Sequence, residues 1–289
     1  MDSTIAGHTK TVCLLGHPVA HSLSPQIHNH AFRSLGLPYV YIALDVLSQN
    51  LQSAIYTVRS SMAGANVTIP HKKAALHYCD EISELSAATG TVNTLYIRDG
   101  RLCGTTTDPI GFYKALEYAG HVLKNDHVII LGNGGTAKTL GAALLLDKKC
   151  ASLTIAARSE EKAQALTRDL KSRGSVAVDF CKLNSEESIP YFKRCSLLVN
   201  CTSVGMHPHI DQSPVEPRFF HNEMTVFDAI YNPRVTRILE EAAQAGCRTQ
   251  NGLPMLLFQG LESFRYWTGK EVNASLFDME QLQSFVDKR

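Results

Sequence analysis

The sequence predicts an α/β protein with two domains, one of which is a doubly wound nucleotide-binding domain. Strand-like apolar runs alternate with helical patterns along most of the chain, and this alternation is typical of βαβ units with parallel sheets. The length of 289 residues allows one large domain or two modest ones. A glycine-rich turn at residues 132–135 lies between an apolar strand and a helical pattern, which is the setting of a nucleotide-binding turn.

The composition is that of a globular protein without a strongly charged surface. Hydrophobic residues make up 44% of the chain and charged residues 19%, which leaves enough apolar side chains for a core. Lys and Arg number 28 against 27 Asp and Glu, so the net charge is +1. Proteins that bind nucleic acid or acidic membranes need a clustered basic excess, and we therefore expect neither kind of partner.

Three further features predict a cytoplasmic protein. Residues 1–13 lack the basic region and apolar stretch of a signal peptide. No apolar run approaches the roughly 18 residues that a membrane span needs. The eight cysteines form no C-x-x-C pair, so we expect reduced and mostly buried thiols.

The first part of the chain predicts a sheet with one early helix. A strand is expected at residues 11–16. Ser24 is then expected as the N-cap of a helix, with Pro25 at its first position and Gly36 after its end. Further strands are predicted at residues 39–44, 65–69, 91–97 and 101–104, the last two joined by a hairpin at residues 98–100.

A second organisation begins after Asp108. Residues 127–131 form a continuous apolar strand of the kind that is buried on both faces of a parallel sheet. Helices are predicted at residues 136–146 and 236–245, strands at 152–156, 196–200 and 225–228, an exposed loop at 207–213, and one or two helices at 254–289.

The glycine-rich turn predicts a nucleotide site. The first glycine permits a tight turn, and the second lets the backbone approach a pyrophosphate at the positive end of the following helix. The spacing differs from G-x-G-x-x-G, but the strand and helix on either side favour nucleotide binding over a purely structural turn. The candidate cofactor residues here are Gly132, Asn133, Gly134, Gly135, Thr136 and Ala137.

Arg158 favours NADP over NAD. NAD-binding folds usually place an acidic residue at the end of the second strand, where it holds the ribose hydroxyls. This chain has Arg158 there, and its guanidinium can bind a 2′-phosphate, with Lys162 one helical turn further on. The alternative is a solvated basic pair that offsets Glu160 and Glu161, and NAD stays open as the cofactor.

Three short clusters in the first 110 residues carry reactive or polar groups. Residues 21–25 place two hydroxyls before a helix N-terminus, which suits a carboxylate. Residues 66–72 follow the end of a strand, where α/β proteins usually form their sites. Residues 104–108 end the hairpin. Lys72 and Asp108 are therefore expected to face one interdomain cleft.

These motifs make the chain similar to the shikimate/quinate dehydrogenase family, essentially from end to end. The resemblance implies an N-terminal α/β substrate domain over residues 1–107, a Rossmann-like NADP domain over 108–251, and C-terminal helices, 252–289, that return to the first domain. It is carried by residues 22–25, 66–72, 90–94, 107–108, 132–137, 200–206, 231–233 and 255–259.

The resemblance implies a role for each matched residue. Lys72 would be the acid and base of the reaction, with Asp108 as its partner. Substrate contacts would fall on Ser22 and Ser24, which would bind the carboxylate, and on Thr68, Asn93, Tyr231 and Gln259 around the ring. Cofactor contacts would fall on the glycine-rich turn and on Arg158, Lys162, Thr202, Met206 and Met255.

The activity implied by the family is interconversion of 3-dehydroshikimate and shikimate by hydride transfer with NADP. A quinate dehydrogenase is the close alternative, and Ser24 favours shikimate. A non-catalytic quinate-pathway sensor is the second alternative, although such a sensor would not need both Lys72 and Asp108. We expect a monomer or a homodimer.

Some residues depart from the family pattern or invite another interpretation. Proline occupies positions 109 and 254, where the family usually has glycine, and His71 replaces an aromatic residue before the lysine. A zinc site at His17, His21, His28 and His30 is disfavoured because no thiolate pair accompanies the histidines. Trp267 is expected to be a core residue.

Overall fold

The chain forms two units, each built on a six-stranded sheet. They are seen in a computed structural model that describes residues 5–287. Unit 1 comprises residues 5–111 and Leu257–Phe285, and unit 2 comprises Phe112–Leu256 with residues 286–287. The predicted α/β fold class is confirmed. No helix among the described residues is both long and apolar enough to cross a membrane.

Unit 1 has a mixed sheet. Its strands and first helices are β1 Lys10–Gly16, α1 Ser24–Ser34, β2 Tyr39–Asp45, α2 Leu51–Ser61, β3 Gly64–Val67, α3 Lys72–Ala75, β4 Glu81–Ile82, α4 Glu84–Thr89, β5 Thr94–Arg98 and β6 Arg101–Thr105. The strand order is β2-β1-β3-β5-β6-β4. β1 pairs parallel with β2 and β3, whereas β5 pairs antiparallel with β3 and β6.

Unit 2 has an all-parallel, doubly wound sheet. The remaining elements of the chain are α5 Asp108–Tyr118, β7 Asp126–Leu131, α6 Gly135–Leu146, β8 Cys150–Ala157, α7 Glu160–Lys171, β9 Ala177–Lys182, α8 Ile189–Lys193, β10 Leu197–Asn200, β11 Thr225–Asp228, α9 Arg237–Gln244, β12 Arg248–Gln250, α10 Leu253–Thr268 and α11 Met279–Asp287. Most of α10 and of α11 belongs to unit 1. The strand order is β12-β11-β10-β7-β8-β9. From β7 the chain adds strands on one side, up to β9, and from β10 it adds them on the other side, so the order of connection reverses between β7 and β10. Ligands of such folds bind at the carboxyl ends of the strands beside this reversal.

The predicted hairpin is confirmed. Asp99 and Gly100 have φ values of 51° and 73°, so both central residues of the turn adopt the left-handed conformation. Two consecutive residues of this kind make the tight turn whose twist matches that of the flanking strands. Asp-Gly is the residue pair that tolerates it best, which is why the short sequence predicted the turn.

The start of α1 differs from the prediction by one residue. Ser24 is the first helical residue, and Leu23 occupies the N-cap position without a capping side chain. The Ser24 side chain is instead buried near the Tyr41 hydroxyl of the neighbouring strand. A tertiary contact therefore replaces the local cap that the sequence pattern predicts.

Prolines 109 and 254 are both tolerated by the helices that contain them. Pro109 is the second residue of α5, and Pro254 is the second residue of α10. The N–H groups of the first helical turn have no acceptor within the helix, so a proline there removes no helical hydrogen bond. The two departures from the family pattern are thus accommodated by the backbone.

Aromatic side chains hold α1 and α10 to the sheet of unit 1. The His28 ring stacks on Tyr41 at a centroid distance of 4.4 Å and meets the edge of Trp267 at 5.0 Å. The indole Nε1 of Trp267 donates to the Leu95 carbonyl at 2.9 Å, so the prediction of a core tryptophan is confirmed. Burial lowers the pKa of His28 to about 3, and this imidazole therefore stays neutral.

Asp126 joins the beginnings of β7 and β10 in unit 2. Its Oδ1 accepts from Ser196 Oγ at 2.7 Å and lies 3.3 Å from His121 Nε2, and its Oδ2 accepts from the Lys124 amide at 2.8 Å. Burial alone would raise the pKa of Asp126, but these hydrogen bonds and the nearby imidazole outweigh burial and lower it to about 2. The ionised carboxylate is thus part of the folded state.

We expect Asp126→Asn to lower the free energy of unfolding at pH 7 by about 2 kcal/mol. Because the folded pKa lies below the unfolded one, this stabilisation is fully present above the unfolded pKa of about 4. It is lost as the pH falls through about 2. Urea unfolding measured across this pH range should show a flatter acid dependence for the variant. Asp211→Asn in the exposed loop is the control and should behave like the natural protein.

Candidate active site

Strand pairing brings three polar side chains of unit 1 to one edge of the sheet. Because β5 runs antiparallel to both β3 and β6, its beginning lies beside their carboxyl ends. The register places Thr94, which starts β5, opposite Thr105, which ends β6. Lys72 follows β3, Asn93 precedes β5 and Asp108 follows β6. Residues that are far apart in sequence thus meet at this edge.

Lys72 and Asp108 form an ion pair. The distance from Lys72 Nζ to Asp108 Oδ2 is 2.7 Å, and Asn93 Nδ2 donates to the other carboxylate oxygen, Oδ1, at 2.7 Å. The side chains of Lys72 and Asp108 are 32% and 16% exposed, whereas Asn93 is buried. A buried amide therefore holds the carboxylate, which leaves an ammonium group that a ligand can reach. The predicted pairing of Lys72 with Asp108 is present in the structure.

Gln259 lies in the same group. Its Oε1 is 3.3 Å from Asn93 Nδ2 and 3.4 Å from the Thr107 hydroxyl. Thr107 Oγ1 also accepts from Asn93 Nδ2 at 3.0 Å. α10 thus supplies a polar side chain to the edge where β5 begins, although the chain separates these elements by about 160 residues.

A buried polar network beneath this group was missed by the sequence reasoning. Asn66 Nδ2 donates to the Asn93 carbonyl at 3.1 Å and to Ser263 Oγ at 3.0 Å. Ser263 Oγ is in turn 2.7 Å from Thr94 Oγ1 and 3.2 Å from Thr107 Oγ1. Ser263 stands four residues after Gln259 in α10, and this helical spacing was the signal that placed both on one face.

Ser24 connects to the network from α1. The Tyr41 hydroxyl, which lies near the Ser24 side chain, donates to Asn66 Oδ1 at 2.9 Å. Ser22 Oγ accepts from the Ser24 amide at 3.2 Å, so the two predicted serines are adjacent in space. A hydrogen-bonded path thus leads from Tyr41, beside the serine pair, through Asn66 to Asn93.

Thr68 and His71 frame the turn that leads to Lys72. The Thr68 amide donates to the Leu15 carbonyl at 2.9 Å, and among the described residues its hydroxyl forms no hydrogen bond with Lys72. His71 is buried, and its Nε2 lies 2.6 Å from the Val46 carbonyl. The imidazole therefore fills the position of the family's aromatic residue and adds a polar attachment to the segment after β2.

The glycine-rich turn of unit 2 has the geometry of a phosphate site. β7 ends at Leu131, Gly132 has a φ of +99°, and α6 begins at Gly135 without a capping side chain. A Cβ added at Gly134 or Gly135 would meet nothing within 4 Å, so the helix N-terminus is open to a ligand. Its first N–H groups have no partner within the helix, and a pyrophosphate fits there.

Arg158 and Lys162 are available for a second phosphate. β8 ends at Ala157, and both basic side chains that follow are exposed. Among residues 5–287 neither side chain pairs with a carboxylate, and Glu160 instead accepts from Gln164 at 2.9 Å. The alternative of a solvated basic pair beside Glu160 and Glu161 stays open, since all four side chains are exposed. The contact of these two cations with the 2′-phosphate of NADP therefore stays a prediction.

The other candidates of unit 2 are three cofactor residues, after β10 and in α10, and the substrate residue Tyr231 after β11. The amide and the hydroxyl of Thr202 donate to Asn200 Oδ1 at 3.0 and 2.7 Å. Met206 is exposed, Tyr231 is half-buried after β11, and Met255 is buried near the start of α10. Thr202 is therefore held by the strand end that precedes it.

Three of the four histidines considered as zinc ligands have other contacts. His17 Nδ1 lies 2.6 Å from Asp45 Oδ1, His28 is part of the aromatic core, and His30 Nε2 lies 3.2 Å from the Leu276 carbonyl. Within the described part of the chain, no three His, Cys, Asp or Glu residues form a group that could hold a metal ion. All eight cysteines are free and six are buried, as predicted.

Comparison with protein families identifies three consecutive matches. Residues 14–95 match the shikimate dehydrogenase substrate binding domain, residues 114–243 match shikimate / quinate 5-dehydrogenase, and residues 252–277 match the shikimate 5′-dehydrogenase C-terminal domain. The matches extend over parts of both units and include Lys72, Asn93, Gln259 and the glycine-rich turn, whereas Asp108 lies between the first two matched ranges.

Individual proteins give the same result. A shikimate dehydrogenase (NADP(+)) from Methanothermobacter thermautotrophicus is 40% identical over 269 residues, covering 92% of this chain and 94% of that protein. The crystal structure of shikimate 5-dehydrogenase from Thermus thermophilus in complex with NADP(H) and shikimate has a TM-score of 0.84 at 35% identity, over 96% of this chain and 99% of that one. Quinate dehydrogenase from Corynebacterium glutamicum in complex with NAD has a TM-score of 0.83 at 27% identity, over 97% and 99%.

Proposed function

Because the chain belongs to the shikimate dehydrogenase family, we propose that it interconverts 3-dehydroshikimate and shikimate with NADP as the hydride carrier. The observation that carries this proposal is the Lys72–Asp108 ion pair, 2.7 Å long and held by Asn93. A non-catalytic sensor would need to bind the ring, but it would not need an ammonium group in position to transfer a proton.

We assign the substrate to unit 1 and the cofactor to unit 2. In unit 1, Ser22 and Ser24 bind the carboxylate, and Thr68, Asn93, Asp108 and Gln259 bind the ring hydroxyls. The hydrogen-bonded path from Tyr41, which lies beside Ser24, to Asn93 supports this assignment, because it connects the two ends of one substrate site. In unit 2, the glycine-rich turn, Arg158, Lys162, Thr202, Met206 and Met255 contact NADP, and Tyr231 lies beside the nicotinamide.

The proposed mechanism uses Lys72 as the proton donor for ketone reduction. When bound, NADPH supplies the hydride that adds to the carbonyl carbon. Negative charge then develops on the carbonyl oxygen, and the Lys72 ammonium donates its proton there to give the hydroxyl. In the oxidative direction the neutral amine takes the proton from the hydroxyl. Proton and hydride together account for the two atoms that the ketone gains.

Asp108 and Asn93 hold the proton donor in place. The Asp108 carboxylate accepts from the ammonium and so restricts the motion of a flexible side chain. Asn93 occupies the second carboxylate oxygen and prevents Asp108 from turning away. The network through Asn66 and Ser263 fixes the Asn93 backbone and the neighbouring Thr107. Protein groups thus hold both oxygens of the Asp108 carboxylate.

The cytoplasm is our proposed location, since eight free thiols suit a reducing compartment. A small-molecule substrate is the only partner the proposed reaction needs. A monomer or a homodimer remains our prediction for the assembled state.

We expect Lys72→Ala to lower kcat by about 10²–10⁴-fold, because proton transfer by a positioned side chain contributes that much. Steady-state rates of NADP+ reduction with shikimate measure the effect, and NADP+ affinity should stay near that of the natural protein. Lys73→Ala is the matched control, since Lys73 is exposed and without a hydrogen bond among the described residues. Near-normal turnover by Lys72→Ala would remove Lys72 from the mechanism.

Replacement of Arg158 should change the cofactor preference. Loss of a charge-assisted hydrogen bond to the 2′-phosphate should raise the KM for NADP+ by roughly 10–100-fold for Arg158→Ala. The KM for NAD+, which lacks this phosphate, should change little. Arg168→Ala, an exposed arginine on α7, is the control. An equal effect on both cofactors would contradict the proposed contact.

Shikimate should be preferred to quinate as the substrate. We expect kcat/KM for shikimate with NADP+ to exceed that for quinate by about tenfold or more, since one ring substituent is worth about 1–3 kcal/mol of discrimination. Initial rates with both acids and both cofactors test this. Faster oxidation of quinate would assign the chain to the other branch of its family.

A further inference from the structure

A buried polar cluster lies at the carboxyl ends of β10 and β11, outside the proposed chemistry. Asn200 ends β10, Asp228 ends β11, and the parallel register places the two residues side by side. Together with Thr236 they are completely excluded from solvent, each with 0% exposure. The cluster belongs to unit 2 and adjoins the segments that carry Thr202 and Tyr231.

Asp228 is the acceptor at the centre of this cluster. Its Oδ1 accepts from Asn200 Nδ2 at 2.9 Å and from the Ile230 amide at 3.0 Å, and its Oδ2 accepts from Thr236 Oγ1 at 2.6 Å. The three donors come from the end of β10, from the loop after β11 and from the start of α9. One carboxylate thus joins three separate elements. This arrangement also explains why Thr236, the N-cap residue of α9, makes no capping hydrogen bond: its hydroxyl is bound to Asp228 instead.

The first of these connections continues to a proposed cofactor contact. Asn200, oriented by Asp228, accepts through its Oδ1 from both the amide and the hydroxyl of Thr202. Thr202 in turn packs against the glycine-rich turn, since a Cβ on Gly132 would lie only 3.0 Å from Thr202 Cγ2. Asp228 therefore controls the position of Thr202 without touching the ligand site.

The second connection reaches the segment before Met255. Ile230, whose amide binds Asp228, accepts through its carbonyl from the Gly252 amide at 2.9 Å. Any side chain at Gly252 would collide with the Ala229 carbonyl, because a Cβ there would lie 2.2 Å from that oxygen. The chain thus passes directly over the loop that Asp228 holds, and α10 starts at the next residue.

Stability alone does not explain a carboxylate at this position. Burial raises the pKa of Asp228 to about 6 in spite of the three hydrogen bonds, so the charged form is costly here. The neighbouring titratable group, Cys201, has its pKa raised by burial and further by the charge of Asp228, and it provides no compensating charge. An apolar replacement of a buried ionic group often preserves or increases stability. What the carboxylate provides is a fixed geometry for three donors.

We propose that Asp228 is a positioning residue that sets the Thr202 and Tyr231 segments for NADP binding. The inference rests on the proposed function, because it takes unit 2 as the cofactor site. Asp228 makes none of the proposed contacts with substrate or cofactor and acts through Asn200 and Ile230. Removing its acceptor oxygens should therefore weaken cofactor binding by the folded protein.

The test is calorimetric titration of the full chain with NADP+ alone. It measures the Kd and the fraction of protein molecules that bind, and it does not depend on catalytic activity. Loss of the ordering that these bonds provide should raise the Kd of Asp228→Ala by roughly tenfold. Asp228→Asn should bind NADP+ with a Kd within about threefold of that of the natural protein. Its amide oxygen can accept from Asn200 and Ile230, and its amino group can donate to the Thr236 hydroxyl. If Asp228→Ala does not fold, Thr236→Val removes one donor only and should raise the Kd by about threefold.

A destabilised variant elsewhere in the same sheet separates positioning from general stability. Asp126→Asn acts at the opposite strand ends and should leave the Kd for NADP+ unchanged. The KM for shikimate should also stay within about twofold in Asp228→Asn and Thr236→Val. Natural binding by Asp228→Ala, or weakened binding by Asp126→Asn, would overturn the inference. Failure of the natural protein to bind NADP+ would overturn the proposed function, and this inference with it.

Discussion

The ion pair between Lys72 and Asp108 is the interaction on which the proposed chemistry depends. A lysine side chain is flexible and strongly hydrated, so its ammonium group serves as a proton donor only where something restrains it. Asp108 supplies the restraint at 2.7 Å, and the buried Asn93 amide restrains Asp108 at the same distance. The pair is partly exposed, as a group that must meet a ligand has to be, while the residues that hold it are buried.

The same arrangement recurs in unit 2 at a different site. The proposed phosphate-binding groups lie at the open N-terminus of α6 and on exposed Arg158, whereas Asn200 and Asp228 are buried next to the Thr202 segment. Both units therefore place mobile or exposed contact groups in front of a buried polar cluster. Such clusters cost desolvation energy and repay it only when every member is hydrogen-bonded, which makes their geometry specific.

Much of the fold and of the candidate site could be predicted from the sequence where the signal is local. The Asp-Gly turn predicted the hairpin, the apolar run before Gly132 predicted the central strand, and the residue after β8 predicted the choice between cofactors. These features depend on the backbone conformation or the side-chain chemistry of a few consecutive residues, and the identities of those residues are enough to predict them. β9 was missed because, as an edge strand with a mixed polar pattern, it lacks a clear periodicity.

By itself, the sequence determined the α/β class, the nucleotide turn and the residue types of the site. Only the tertiary structure decided which of those residues meet. Antiparallel pairing of β5 with β3 and β6 brings Asn93 between Lys72 and Asp108, and α10 adds Gln259 and Ser263. The roles of Ser263 and Asp228 could not be read in advance, because a serine in a helix or an aspartate after a strand has many uses. The donors that surround it define its role, and those donors come from elements that only folding places together.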